Sequence, residues 1–533
     1  MPRRRLTLLH RTAVAGTAAA CVLSGCAATP ADDHAAPGGV RVAVPSDIPS
    51  FHPYSTSGAT AAPYAYDSLV HLSGAGRVRS GLAVRWRTDA TSATFTLRKG
   101  VTCSDGTELK ASHVARSLTY AADPKNHFTA AQQALPDVPL TVTADDAHRV
   151  VTVSTASPFG FLVRTVGLLP VICPAGLDDP RSLVRATHGT GPYVLSASRP
   201  GGPYVFTRRR GYAWGPGGAR TGTAGVPARI RLTVIPEEST ATNLLLTGGL
   251  DIAAVGGSDR ARLTGRGLYE AVVPTVVGLS FFNEAPGHPL GDPAVRRALV
   301  GALDREGLAD VAIGGNGRPA GHLTARGTVC HTHLTAPHLS GPAALSLLRE
   351  AGWRRAADGR LRRAGDGRQL RLRIVSSPAS GSTLPAVAEL MAVTWQELGV
   401  RTDLVSESLP ALVKAMYEDG DFDVVMGSAP GPPVPAQLVP FFSGPPPPAG
   451  LNFAHIRNSR YTDLSRKALR SPDTSGCALW NRAAQALLHA ADALPVADGS
   501  KVLYGRGVRF DVGDGGQLMP ASFRTDSGRG AGR

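Results

Sequence analysis

Residues Leu370–Met426 read LRLRIVSSPASGSTLPAVAELMAVTWQELGVRTDLVSESLPALVKAMYEDGDFDVVM. Leu370 to Val375 is a short apolar run of strand type. Leu384 to Leu398 has helical spacing, and Gly399 stops it. Val400 to Val405 reads as a strand. Ser408 is placed to cap a helix that runs to Glu418, with Gly420 after it. Phe422 to Met426 reads as a further strand. Strand, helix, strand, helix and strand with such short links demand a parallel sheet covered by helices, an α/β arrangement. Ligands of such sheets sit beyond the carboxyl ends of the strands. The loops after Val375 and Met426 are therefore candidate walls of a site.

Upstream, residues 292–310 read as one helix. Asp292 is its cap, Pro293 its first residue, and Val295, Ala298, Leu299, Ala302 and Leu303 its apolar face. That phase puts the basic pair Arg296–Arg297 on the solvated side. Nearer the start, Arg41 to Val44 reads as a first strand. Ala93 to Leu97 and Arg149 to Val153 alternate like strands, and Ser112 to Leu118 has helical spacing between them. Residues 429–448 are rich in Pro and Gly and read as a loop with Phe441–Phe442 embedded. No internal repeat is found.

The 533 residues predict two or three domains. The ends carry other information. Arg3, Arg4, Arg5 and Arg11 precede an uncharged apolar run, Thr12 to Leu23, which is too short to span a membrane. Leu23-Ser24-Gly25-Cys26 follows. This pattern predicts a lipoprotein signal peptide over 1–25, with Cys26 becoming the lipidated N-terminus. The paired arginines leave Sec and twin-arginine export both open. Residues 26–38 then form a flexible tether, and residues 524–533 a low-complexity disordered tail. The expected location is the extracytoplasmic face of the cell membrane, held there by lipid.

The formal net charge is +15, of which residues 1–25 carry four arginines and no acid, leaving +11 on the remainder. The arginines are scattered and the export signal separates the chain from nucleic acid, so no nucleic-acid partner is expected. Besides Cys21 and Cys26 there are Cys103, Cys173, Cys330 and Cys477, which in an oxidising compartment allow three pairings.

Catalytic motifs are missing. There is no G-x-S-x-G elbow, no H-E-x-x-H and no Gly-Lys dipeptide, hence no phosphate-cradling loop. Any ATP hydrolysis belongs to another chain, and no enzyme activity or cofactor is expected. His322, Cys330, His331, His333 and His338 cluster, but their spacing matches no closed zinc pattern, so no metal site is assigned.

Five segments, in order, resemble family 5 of the bacterial extracellular solute-binding proteins, the group holding peptide- and nickel-binding receptors. The first is Phe95-Thr-Leu-Arg-Lys-Gly-Val-Thr-Cys-Ser-Asp-Gly-Thr-Glu-Leu-Lys-Ala-Ser-His-Val114. The second is Gly189-Thr-Gly-Pro-Tyr-Val-Leu195. The third is Phe281-Phe-Asn-Glu with His288-Pro-Leu-Gly-Asp-Pro-Ala-Val-Arg-Arg-Ala-Leu299 and Ala302-Leu-Asp-Arg305. The fourth is Ala344-Leu-Ser-Leu-Leu-Arg-Glu-Ala-Gly-Trp353. The fifth is Trp395-Gln-Glu-Leu-Gly-Val400 with Gly420-Asp-Phe-Asp-Val424. The resemblance covers about residues 40–510.

It implies a periplasmic-binding-protein-like fold, two lobes with parallel-type sheets joined by a hinge, plus an extra α+β subdomain. Lobe I would combine 39–65, 188–275 and 492–523, with the subdomain at 66–187. Lobe II would be 276–491. With these lobes the expected disulfides are Cys103–Cys173 and Cys330–Cys477, because each pair stays within one lobe. The implied function is the solute-binding subunit of an ABC importer, a monomer that hands its solute to permease and ATPase subunits on separate chains. An envelope receptor without its own importer, or a binder of nickel complexes or oligosaccharides, is the alternative.

The family's peptide receptors pair the peptide amine with an Asp in the loop after the fifth segment. Here Gly427–Gln437 holds no acid. Ser376–Ser382 stands where the dipeptide receptor has an Arg for the carboxylate. A buried amine without a partner is costly, so a free dipeptide is a poor fit. A neutral, longer or modified peptide-like solute is expected, with Phe51, Tyr54, Ser377, Ser380, Ser428, Gln437 and Asn452 as candidate contacts.

Overall fold

The computed structural model describes residues 39–526 apart from 129–130, 133–134, 137 and 429–430. The expected signal peptide, Cys26 and the expected tether lie outside the described residues.

The parallel unit forms where the spacing predicts it. Strand Arg371–Ser376 sits between Arg401–Ser406 and Val424–Gly427 and runs parallel to both. Along it Leu372 and Ile374 enter one core, beneath helix Leu384–Glu397, while Val375 enters another on the opposite face. Val424 and Met426 likewise point to the first core and Val425 to the second. Val424–Met426 is a continuous apolar run because it is covered on both faces, whereas Arg371 and Arg373 alternate with the buried Leu372 and Ile374. Trp395 of the covering helix is fully buried and donates its indole N–H to Leu299 O (2.9 Å).

The sheet does not stop there. It is one mixed sheet of eleven strands. From Val424–Gly427 it continues through Tyr269–Phe282, Ala493–Gly505, Ile252–Val255, Gly39–Val44, Arg229–Val234 and Tyr204–Arg208 to Tyr193–Ala197. The short strand Arg318–Pro319 pairs beside Ala493–Gly505. Gly39–Val44 is parallel to its neighbours on both sides. Tyr269–Phe282 and Ala493–Gly505 are antiparallel over almost their whole length. Their Ala271, Val273 and Leu503 belong to the core around Phe206 and Ile230, whereas Leu279, Phe281, Leu494 and Val496 belong to the cores flanking Arg371–Ser376. Two lobes with an α/β core each are thus threaded by the same two long strands.

A separate four-stranded antiparallel sheet, ordered Ala83–Thr88, Ser92–Leu97, Val150–Thr155 and Leu140–Asp145, carries helix Ala111–Ala122. Val114, Leu118 and Ala121 of that helix are buried at the spacing an amphipathic helix requires. Among the described residues no helix is long and apolar enough to cross a membrane.

Four expectations are corrected. Residues 292–310 form two helices, Pro293–Gly301 and Arg305–Ile313, because Asp304 caps the second through Gly307 N. Arg296 is not solvated. It is 4% exposed and pairs with Glu284 and Asp492, which lie at the ends of the two long strands. The loop at 429–448 contains two short helical turns, Pro435–Leu438 and Val439–Phe442, because Phe442 is drawn into the core against Phe281 (5.5 Å between ring centres). The chain also stays ordered past Phe523, where Arg524–Thr525 pair with Val508–Arg509.

Candidate functional site

Helix Thr56–Ala65 begins at Ser55, whose hydroxyl accepts from Gly58 N, and ends as Tyr66 turns extended. The next residues, Tyr66, Asp67, Ser68 and His71, form one wall of a cavity of about 200 Å³. Pro170, Pro192, Tyr212 and Pro216 form a second wall, and Gln517, Leu518 and Met519 a third. Gly431 and Pro433, from the loop after Val424–Gly427, close it from the side of the parallel unit. The cavity therefore lies where the loop beyond one lobe's strands meets the other lobe, the position expected for an α/β ligand site.

The second resemblance motif holds this wall in place. Gly189 and Gly191 abut the Ala65–Tyr66 backbone so closely that neither position has room for a Cβ. Gly191 N donates to Ala65 O (2.9 Å), and Val171 N donates to Asp67 O (2.8 Å). Between the two glycines, Thr190 donates its hydroxyl to Asp67 Oδ2 (2.9 Å). Tyr212 donates to Asp67 Oδ1 (2.8 Å) and Trp214 Nε1 to Asp67 Oδ2 (3.0 Å). Burial raises the Asp67 carboxyl above its usual range, while the three donors and the nearby Arg209 charge pull it back. Asp67 is committed to orienting Tyr212 and Trp214. The Arg209 guanidinium in turn lies over the Trp214 ring at 5.5 Å.

The remaining polar lining is neutral. Ser68 donates its hydroxyl to Val70 O (2.6 Å). Burial pushes His71 down to about 4, so it is uncharged at neutral pH, and its Nε2 has no hydrogen-bond partner among the described residues. No lysine or arginine lines the cavity. Its described side chains offer no nucleophile paired with a base.

The residues singled out from the sequence scatter. Phe51 is core, packed edge-on against Tyr204 at 5.4 Å. Tyr54 is core as well, its hydroxyl donating to Pro170 O (2.7 Å) and bonded to Ser117 Oγ (3.0 Å). Asn452 is spent on its own turn, accepting from Ile456 N (2.9 Å) and donating to Gly444 O and Ile456 O. All three are buried in contacts within the protein. Ser377 follows Arg371–Ser376 and is fully buried, with its Oγ unpartnered among the described residues. Ser380 is half-buried, Ser428 exposed and Gln437 half-buried. None of the seven lines the cavity, although Ser428 and Gln437 flank Gly431 and Pro433, which do.

Cys103 is disulfide-bonded to Cys173 (Cα–Cα 6.1 Å) and Cys330 to Cys477 (4.7 Å). In the histidine cluster, His322 Nδ1 bonds to Thr324 Oγ1 (2.8 Å) and His331 Nδ1 to Thr324 O (3.0 Å). Among the described residues no three metal-ligating side chains converge. Sequence reasoning missed Asp67, Tyr212 and the 517–519 wall. The one available signal was the Gly-Thr-Gly-Pro run, whose glycines mark a close backbone approach.

Comparison with known proteins agrees with this geometry. The model of "Bacterial extracellular solute-binding proteins, family 5 Middle" matches residues 77–447. The nickel-binding periplasmic protein of Escherichia coli K12 is 25% identical over 415 residues, covering 75% of this chain and 76% of that protein. The glutathione-binding protein GsiB of the same organism is 25% identical, covering 65% and 66%. A solved substrate-binding protein of Microbacterium hydrocarbonoxydans, complexed with 4-hydroxybenzoate hydrazide, superposes over 92% of this chain and 100% of its own with a TM-score of 0.70 at 24% identity. The chain has the two-lobed periplasmic-binding-protein fold and is an extracytoplasmic receptor rather than an enzyme. A match over most of its length makes it a member of family 5 of the bacterial extracellular solute-binding proteins, the receptors that serve ABC importers.

Proposed function

We propose that the protein captures a neutral, compact, peptide-like solute between its lobes and delivers it to an ABC permease, while lipid at Cys26 keeps it at the membrane. One observation carries this reading. Among the described residues the cavity has a single carboxylate, Asp67, already engaged by three donors, and no cation along its walls. A free dipeptide brings two charges, and a buried charge without a partner costs several kcal/mol. A blocked peptide, or a ring-bearing amide, brings none. Its apolar part suits walls of proline, tyrosine, leucine and methionine. The aromatic hydrazide named with one solved relative keeps ring-bearing, amide-like solutes in view.

The hinge in this reading is the pair Tyr269–Phe282 and Ala493–Gly505, the long strands shared by both lobes. Segments 39–65, 188–275 and 492–523 with subdomain 66–187 form one side and 276–491 the other. Residues 1–25 direct export and 26–38 tether the body to its lipid.

The test is a thermal-melt panel on purified protein, using N-acetylated, C-amidated di- and tripeptides, the same peptides with free ends, and nickel ion. Stabilisation of about 2.7 kcal/mol is expected at a hundredfold excess over the dissociation constant, for blocked peptides alone. Stabilisation by free dipeptides equal to that by their blocked forms refutes the reading.

A further inference from the structure

A second set of contacts joins the lobes away from the two long strands, in a segment that runs on into the cavity wall at Leu168 and Pro170. Segment 156–171 follows strand Val150–Thr155, and segment 469–480 joins helix Ser459–Leu469 to helix Cys477–Ala490. Although some 300 residues apart in sequence, they exchange backbone bonds. Gly160 N donates to Leu469 O (3.0 Å), and Asp473 N donates to Gly160 O (2.8 Å). Gly160 lies so close to Ser471 O that any side chain there would collide. Phe161 and Trp480 pack with ring centres 6.0 Å apart.

Arg164 completes the contact. It is 6% exposed, donates from Nε to Asp473 Oδ1 (2.5 Å), and donates from Nη1 to Gly76 O (2.5 Å). Gly76 abuts Gly327 O, again without room for a Cβ. Loop 325–331 carries Cys330, whose disulfide partner Cys477 stands four residues after Asp473. The disulfide therefore fuses that loop and the Asp473 segment into one jaw, and Gly76, Gly160 and Arg164 form the jaw facing it. The apolar core continues across the contact, with Val434, Ala436, Ala468 and Trp480 joined to the cluster of Phe95 and Phe161.

We infer that this contact is an interlobe clasp, and that Arg164 is a positioning residue setting how much of the solute-free receptor is already closed. The inference rests on the hinged reading above, but not on which solute is bound. A receptor binds with an apparent constant equal to its intrinsic one divided by the fraction in the competent state. A clasp made wholly of protein contacts raises that fraction before solute arrives. Arg164 is costly to bury without its carboxylate, so loss of Asp473 penalises the closed state, in which Arg164 is covered, more than an open state that lets water reach it.

The test uses Asp473→Asn. Asp473 has a positive φ of 45°, which Asn tolerates, so the backbone is preserved while the charge is lost. Protein shown to be solute-free by native mass spectrometry is examined by small-angle scattering and by amide exchange over 156–165 and 469–477. Wild type is expected to scatter as the closed form. The variant is expected to lose at least about tenfold in closed-to-open ratio, with a larger radius of gyration, faster exchange in both segments and a melting temperature within a few degrees of wild type. A Cys330→Ser/Cys477→Ser variant is expected to open in the same direction. Unchanged scattering and exchange in Asp473→Asn, or a wild type already open without solute, overturns the clasp. Faster exchange with unchanged scattering overturns it by a different route, because the contact then breaks without any hinge motion.

Discussion

Replacing Glu284 by Gln tests the electrostatics at one end of the two long strands. Glu284 follows Tyr269–Phe282, and Asp492 immediately precedes Ala493–Gly505. Both carboxyls face one guanidinium. Arg296 Nη1 lies 3.3 Å from Glu284 Oε2, and Nη2 lies 2.8 Å from Asp492 Oδ1. Asn458 Nδ2 donates to Asp492 Oδ2 (2.7 Å). Arg457 spends its Nη2 on the Glu284 backbone carbonyl (3.3 Å). One cation cannot balance two buried carboxylates. Burial first, then the Asp492 charge, push Glu284 up to about 8 against the pull of Arg296. Its folded pKa is thus above the unfolded one near 4.5. The stability contributed by this proton is complete below about pH 4.5 and is lost as pH rises through about 8. Within that window the loss is about 1 kcal/mol per pH unit, on the order of 2 kcal/mol between pH 5 and 7. Gln keeps the shape and cannot ionise. Urea unfolding at pH 5, 6, 7 and 8 is therefore expected to show wild type losing stability relative to Glu284→Gln at each step. Parallel stability curves for the two proteins would refute the assignment of the proton to this cluster.

Three further outcomes follow from other sites. Burial, then the neighbouring His331, push His322 down to about 3. Its contribution is complete above pH 6.5 and lost as pH falls, so thermal melts of His322→Gln are expected to lose about 1.4 kcal/mol less per pH unit than wild type on acidification from 6.5. Tyr54→Phe removes the bond to Pro170 O and is expected to cost about 1–2 kcal/mol in chemical denaturation, with solute affinity by calorimetry unchanged because Tyr54 is core. Asp67→Ala strands the buried donors of Thr190, Tyr212 and Trp214 and is expected to cost about 2–4 kcal/mol. It should also abolish the melting shift by blocked peptides, whereas an unchanged shift would show that Tyr212 needs no orienting.

What could be read in advance was what neighbours in sequence decide. The alternation of Ala93–Leu97, the Ser408 and Asp292 caps and the strand order of Leu370–Met426 are set within a turn or two of chain, and they stand in the structure. The same local reasoning failed at Arg296. Its helix phase is ordinary, but its partner Asp492 is 196 residues away, and a paired arginine can be buried where a lone one cannot. The Asp304 cap was in plain view, yet an unbroken apolar face across 295–303 hid the division into two helices.

The cavity was the least legible feature for a geometric reason. Its walls come from 62–72, 168–216, 431–433 and 513–521, segments that are brought together only by the order of an eleven-stranded sheet. Tyr54 and Phe51 are polar-tipped or aromatic in the right region and so resemble contacts. Asp67 resembles any solvated acid until three donors are found around it. Grip in this receptor is therefore distributed among residues that each look ordinary. In the proposed reading its selectivity would rest on what the described walls withhold, an available charge, because Thr190, Tyr212 and Trp214 engage the carboxylate of Asp67.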